Sequence, residues 1–188
     1  MFKFYYICTS KHTHMKKKYF YILLIIFCTS AIQAQVSIGK NNVSNNSVSL
    51  EFGPGNKGLL LPWVNSASAV TGAVGGTIIY DTADKKIKYK KGNIWSDLSV
   101  DNTGVVDTSL QNSLPEQTSA RVAIGKNAVA DPTPGILVLT DTDKAMILPK
   151  VPSPHLNIIN PSAGMIVYDT DNYQLAVFNG KVWSFWKP

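Results

Sequence analysis

Cysteine is nearly missing from this chain: Cys8 and Cys28 are the only two, and both lie within the first 34 residues. Beyond them there is no thiol for a disulfide, a thiolate metal site or a cysteine nucleophile. Histidine is almost as scarce. Of three, only His155 lies past residue 34, which excludes a histidine-rich metal site and leaves a Ser-His-Asp triad with one candidate base. There is no Gly-x-Ser-x-Gly, Walker loop or dinucleotide fingerprint. Gly72…Gly75-Gly76 precedes a strand-like run, the reverse of the strand-to-helix order that phosphate loops need. These absences predict a protein that is not an enzyme and holds no cofactor and no metal.

Excess positive charge is absent from the body of the chain, although the whole sequence carries 18 basic and 12 acidic residues. Lys3, Lys11, Lys16, Lys17 and Lys18 all fall in the first 34 residues, which hold no acid, so from Gln35 onward the balance is 13 to 12. A nucleic-acid partner is therefore not expected. The basic leader reads as a signal peptide: Lys16-Lys17-Lys18, then the apolar run Tyr19 to Phe27, then small and polar residues ending in Ala34. The reading places the start at Met15, cleavage between Ala34 and Gln35, and the mature protein in the secreted or cell-surface compartment. The apolar run is about half the ~20 residues that span a bilayer, so no stable membrane span is expected after its removal. A lipoprotein modified at Cys28 is the lesser alternative, because Phe27 stands where such sites want a small residue.

What the sequence does have is an internal repeat. Val36-Ser37-Ile38-Gly39-Lys40-Asn41 returns as Val122-Ala123-Ile124-Gly125-Lys126-Asn127, and Lys57-Gly58-Leu59-Leu60-Leu61-Pro62 as Lys144-Ala145-Met146-Ile147-Leu148-Pro149. Gly76-Thr77-Ile78-Ile79-Tyr80-Asp81-Thr82 returns as Gly164-Met165-Ile166-Val167-Tyr168-Asp169-Thr170, and Gly92-Asn93-Ile94-Trp95-Ser96 as Gly180-Lys181-Val182-Trp183-Ser184. The offsets are 86, 87, 88 and 88, too constant for chance. The organisation expected is a leader over 1–34, one copy over 35–99, a polar linker over 100–120 and a second copy over 121–188. Gly104, Pro115 and many Asp, Asn, Thr, Ser and Gln residues mark the linker as semi-extended and partly disordered, with room for one short strand near Val105-Val106.

Within each copy the apolar runs are short and β-branched. Ile78-Ile79-Tyr80 and Met165 to Tyr168 read as strands, followed by Asp-rich turns, because Asp and Asn side chains bond nearby amides. Ile87 and Tyr89, or Leu175 and Val177, then alternate with other residues at strand period. Lys91-Gly92-Asn93 and Asn179-Gly180-Lys181 signal hairpin turns, and Ile94-Trp95 and Val182-Trp183 complete a three-stranded meander. Upstream, Val48 to Phe52 and Ile136 to Leu139 read as strands, as do Leu59 to Leu61 and Met146 to Leu148, which Pro62 and Pro149 stop. A helical turn is expected near Leu156 to Ile159. The fold class is mainly β: two copies of a small β-meander or hairpin module joined by a polar linker.

The string Gly-x-x-x-Tyr-Asp-Thr followed by Asn-Gly-x-x-Trp resembles repeated modules of bacterial cell-surface proteins and phage tail-fibre proteins. It stands here as Gly76…Tyr80-Asp81-Thr82…Gly92…Trp95 and Gly164…Tyr168-Asp169-Thr170…Asn179-Gly180…Trp183. The first copy departs from it with Lys91 in place of Asn. The resemblance covers nearly the whole chain after the leader. It implies a structural or adhesive role in a fibrous or oligomeric assembly, with a homo-oligomer or other surface proteins as partners and no catalytic residues to transfer.

The alternative function is glycan binding. Trp63 and Trp186 have no counterpart in the other copy, which marks them as the exposed candidates for stacking on a sugar, whereas Trp95 and Trp183 recur in register as packing anchors. Lys86, Lys88 and Lys90 share one strand face and form a candidate polyanion contact, or a solvated face that discourages edge pairing. The Asp pairs 81/84, 141/143 and 169/171 lack the convergent oxygens that calcium needs and are read as turn formers.

Overall fold

The computed structural model describes residues 35–117 and 119–187. The expectations about the leader, its start at Met15, the cleavage site and Cys28 lie outside the described residues. In chain order the strands are β1 (Val36–Ile38), β2 (Val48–Phe52), β3 (Leu59–Leu60), β4 (Trp63–Val64), β5 (Ile78–Asp81), β6 (Lys86–Lys91) and β7 (Ile94–Asp97), then β8 (Val122–Ile124), β9 (Leu137–Leu139), β10 (Ala145–Ile147), β11 (Lys150–Val151), β12 (Met165–Asp169), β13 (Gln174–Phe178) and β14 (Trp183–Trp186). Among the described residues the other regular elements are two one-turn helices, α1 (Ser109–Asn112) and α2 (Pro154–Asn157), and a 3-10 turn at Ala67–Ala69. The protein is mainly β, its strands stacked in a β-solenoid-like arrangement.

The repeated sequences adopt repeated pairings. Each meander is antiparallel, in the orders β5-β6-β7 and β12-β13-β14. The turns after Asp81 and Asp169 each close on a residue in the left-handed region, Lys85 (φ 58) and Tyr173 (φ 54), 88 positions apart. At the second turn only glycine takes positive φ, at Gly92 (58) and Gly180 (98). Asn179 does something else: it is fully buried, and its Oδ1 accepts from the amides of Lys181 (2.9 Å) and Val182 (2.7 Å).

Pro62 and Pro149 stop one strand and start another. Immediately after each proline the chain re-enters extended structure as β4 or β11, parallel to β5 or β12, with Trp63 opposite Tyr80 and Lys150 opposite Tyr168. The proline carbonyls accept the amides of Tyr80 and Tyr168, both at 2.9 Å. A residue with no N–H suits this junction, because it has no donor to leave unpaired between two sheets.

The copies also exchange strands. β3 of the first lies antiparallel on β12 of the second, Leu60 opposite Met165, and β10 of the second lies parallel on β2 of the first, Met146 opposite Leu50. The main core follows this exchange: Leu61, Tyr80 and Ile87 pack with Ala163, Ile166 and Val177. Val151, Ile158, Val167 and Ala176 form a smaller cluster flanked by Met165 and Trp183. All described residues belong to one compact unit. Part of the connecting segment joins it. Residues 101–106 adopt no regular secondary structure, so the short strand expected at Val105-Val106 does not form. Val106 instead packs on the core, and a Cβ at Gly104 would lie 2.2 Å from the Asn179 carbonyl oxygen.

The Asp of each Tyr-Asp-Thr does more than form a turn. Asp81 is buried and accepts from the amides of Ala67 (2.8 Å), Ala83 (3.0 Å) and Asp84 (3.1 Å). Asp169, also buried, accepts from the amides of Ser153 (3.1 Å) and Asp171 (3.1 Å) and from the side chains of Asn172 and Gln174, both at 3.0 Å. Each carboxylate thus pins the loop that follows β4 or β11 to the turn that follows β5 or β12. Burial opposes the charge of Asp169, yet the donors outweigh it and hold the pKa at about 2, below the ordinary 3.8.

Two predictions follow from these contacts. A carboxylate with a depressed folded-state pKa stabilises the fold fully above its unfolded pKa and loses that contribution as pH falls through the folded value. The unfolding free energy should therefore drop between about pH 4 and pH 2, and Asp169→Asn should lower it by about 2 kcal/mol at neutral pH and flatten the acid-side slope. Urea titrations across that range check both. Tyr80 is fully buried and donates its hydroxyl to the Asn179 carbonyl at 2.9 Å, with burial and then Asp81 raising its pKa to about 12. Tyr80→Phe should cost about 1 kcal/mol in the same titration, because the buried carbonyl loses a donor.

Candidate oligomerisation interface

The two parallel pairs made by the repeated Val-x-Ile-Gly-Lys-Asn segments leave apolar strand residues exposed. β1 lies on β2 with Val36 opposite Leu50, and β8 lies on β9 with Val122 opposite Leu137. The strand ends are held alike: the Gly53 amide donates to Ile38 (2.7 Å), and the Thr140 amide to Ile124 (2.9 Å). The glycine after the second Ile permits a close approach. A Cβ on Gly125 (φ 141) would lie 2.3 Å from Thr140 Oγ1 and 2.9 Å from the Asp141 amide.

β2 is the central strand of its sheet, between β1 and β10, and Val48 to Glu51 are all buried. The one charge there is matched: Glu51 meets Lys40 Nζ at 2.8 Å and accepts from the Ser44 amide and hydroxyl, both at 2.6 Å. Lys40, followed by Ser44, lowers its pKa to about 2 against a smaller opposing effect of burial. Buried Ser49 reaches Asp141 across the repeat at 3.3 Å, and Asp141 also accepts the Lys126 amide at 2.8 Å and lies 3.4 Å from Lys144. One carboxylate therefore ties β2 of the first copy to both ends of the β8–β10 region. Neither this contact nor Lys40–Glu51 was legible, because Ser44, Ser49, Glu51 and Asp141 stand outside the repeated motifs. Asp81 and Asp169 carried a signal, since they recur in the Tyr-Asp-Thr string.

Around these pairs, Val36, Ile38, Leu60, Val122, Ile136 and Leu137 remain exposed. Val36, Ile38, Val122 and Leu137 belong to the parallel pairs, Ile136 directly precedes β9, and Leu60 lies in β3; exposed apolar residues on open strand edges favour association.

The candidate ligand contacts lie elsewhere and are not gathered into one place. Trp63 is half-buried rather than exposed: its Nε1 donates to the Ala163 carbonyl at 2.7 Å and its ring lies 6.4 Å from that of Tyr80. The physical reason is the cross-copy packing, which brings Gly164 against the Trp63 indole. Trp186 is exposed as expected, and its Nε1 donates to the Leu98 carbonyl. Lys86, Lys88 and Lys90 do share a face. Lys86 and Lys88 both pair with Asp97, at 2.7 and 3.2 Å, and Lys88 pairs with Asp84 as well. Burial opposes the Lys88 charge, but the two carboxylates hold its pKa above the ordinary value. Lys90 lies over the Trp95 ring at 5.1 Å. Among the described residues no group of acidic residues and histidines is arranged to hold a metal ion, and no helix is long and apolar enough to cross a membrane.

Residues 123–187 match the family described as the phage tail like trimerisation region. No curated protein and no solved structure matches the chain. The matched stretch starts in β8 and runs past β14, so it takes in the exposed parallel pair and the whole second meander. A mainly β stack of strands with this similarity fits a structural, fibre-type protein that forms homo-oligomers.

Proposed function

We propose that this chain is an exported, non-catalytic structural protein of fibre type, which acts at the cell surface as a homotrimer with an adhesive role. The observation that carries the reading is the similarity of residues 123–187 to a trimerisation region, on a part of the fold whose apolar strand residues are still exposed. A trimer gives those residues a partner by closed symmetry, without the open-ended growth that unpaired strands otherwise invite. The leader, with its basic start, short apolar run and Ala34, supports export. A chain without cysteines past residue 34 has no disulfide to stabilise it outside the cell, so association supplies burial that a small protomer lacks.

Two measurements test this. Light scattering coupled to size-exclusion chromatography, on the chain from Gln35 onward, should give three times the protomer mass and hold that value on dilution to low micromolar concentration. A single-chain mass throughout would exclude the trimer. N-terminal sequencing of protein recovered from the cell exterior should begin at Gln35, whereas an intact leader on cytoplasmic protein would remove the export part.

A further inference from the structure

We infer that the open edge of β9 is completed by the strand Leu59–Leu60 of a second copy of this chain. The inference rests on the homo-oligomeric reading above and names the strands that join.

The internal repeat supplies the template. In the first copy the parallel pair β1–β2 carries a third strand, β10, on the far edge of β2. In the second copy the equivalent pair β8–β9 has no third strand among the described residues. The segment that fills the β2 edge is Ala145-Met146-Ile147, and its repeat equivalent is Gly58-Leu59-Leu60. Leu59–Leu60 is already placed on one side, against Met165 and Ile166 of β12. A strand has two hydrogen-bonding edges, so the other remains for pairing.

The residues of β9 agree with a central position. Ile136 and Thr140 bond β8 through their backbone, which by parallel-strand geometry turns the backbone groups of Leu137 and Leu139 to the open edge. Ile136-Leu137-Val138-Leu139 is apolar at every position, the composition of a parallel strand covered on both faces. Where β2 has Glu51, held by Lys40, β9 has Val138. Edge strands usually protect themselves with charge, and this one has none. Ile136 is 59 % exposed and Leu137 42 %, and Leu60 of the proposed incoming strand is 48 % exposed. Within one chain β3 lies on β12 in one sheet while β8–β9 forms another, and the two do not pair, so the occupant is assigned to a second copy. Transferring the observed register, Met146 opposite Leu50 and Ile147 opposite Glu51, puts Leu59 of the second copy opposite Leu137 and Leu60 opposite Val138.

The chain from Gln35 onward has no cysteine, so single cysteines report this register directly. Leu60→Cys and Val138→Cys chains, carrying different tags and co-expressed, should form a mixed disulfide under mild oxidation, while Leu60→Cys paired with Ile94→Cys should not. Light scattering on the same samples separates the two readings. A multimer with the mixed disulfide supports the pairing. A multimer without it, or with equal cross-linking in the Ile94 control, overturns this pairing and leaves the homo-oligomer standing. A monomer overturns both. Leu137→Lys serves as a second variant. It should raise the dissociation concentration at least tenfold with circular dichroism unchanged, and an unaltered dissociation concentration would count against the inference.

Discussion

Backbone pairing that passes between the two repeats is the constraint on which the rest of this structure depends. The strands are two to six residues long, and a short hairpin or parallel pair is not stable alone in water. Each copy offers a meander with a two-residue strand, β4 or β11, paired to it, a parallel pair, and one further short strand between them. The short strand does not close on its own copy: β3 crosses to β12, and β10 crosses to β2. The core then assembles from both copies, with Tyr80 and Ile87 against Ile166 and Val177. Burying each such side chain stabilises the fold by about 1.5–3 kcal/mol, but only after the crossing has brought the two halves together.

Polar side chains turn this exchange into a specific geometry. Asp81 and Asp169 collect amides that would otherwise be unpaired at the loop-to-strand junctions. Asn179 links the second meander to the connecting segment through the Asp101 carbonyl at 3.0 Å, and its own carbonyl takes the Tyr80 hydroxyl. Asp141 does comparable work at the parallel pairs. Among the described residues no buried side-chain donor or acceptor lacks a partner, which is what a fold with many short strands and much irregular backbone requires.

The meanders were legible in the sequence because their signals are local. Alternation at Ile87 and Tyr89, the Asp-rich turn before it and the glycine after it each act over a few residues, and the strands fall where those signals put them. β4 and β11 were not legible: two residues after a proline show no periodicity, and their pairing partners lie further along the chain. The exchange of β3 and β10 was hidden by the repeat itself, since equivalent sequences give no reason to choose different partners. Trp63 was misplaced for the same cause, because its burial depends on Ala163 and Gly164 of the other copy. The region that matches the family was visible only as similarity of motif, whereas the open edge of β9 depends on sheet order, which the repeat does not reveal.

The crossing of β3 onto β12 has a temporal side. Leu59 and Leu60 are synthesised well before Met165 and Ile166, the residues they pair with. Contacts so distant in sequence form late, after a large loop has been closed. The first repeat therefore stays unfinished until the second has been made as far as β12, so its native pairing waits on a strand that the ribosome has yet to deliver.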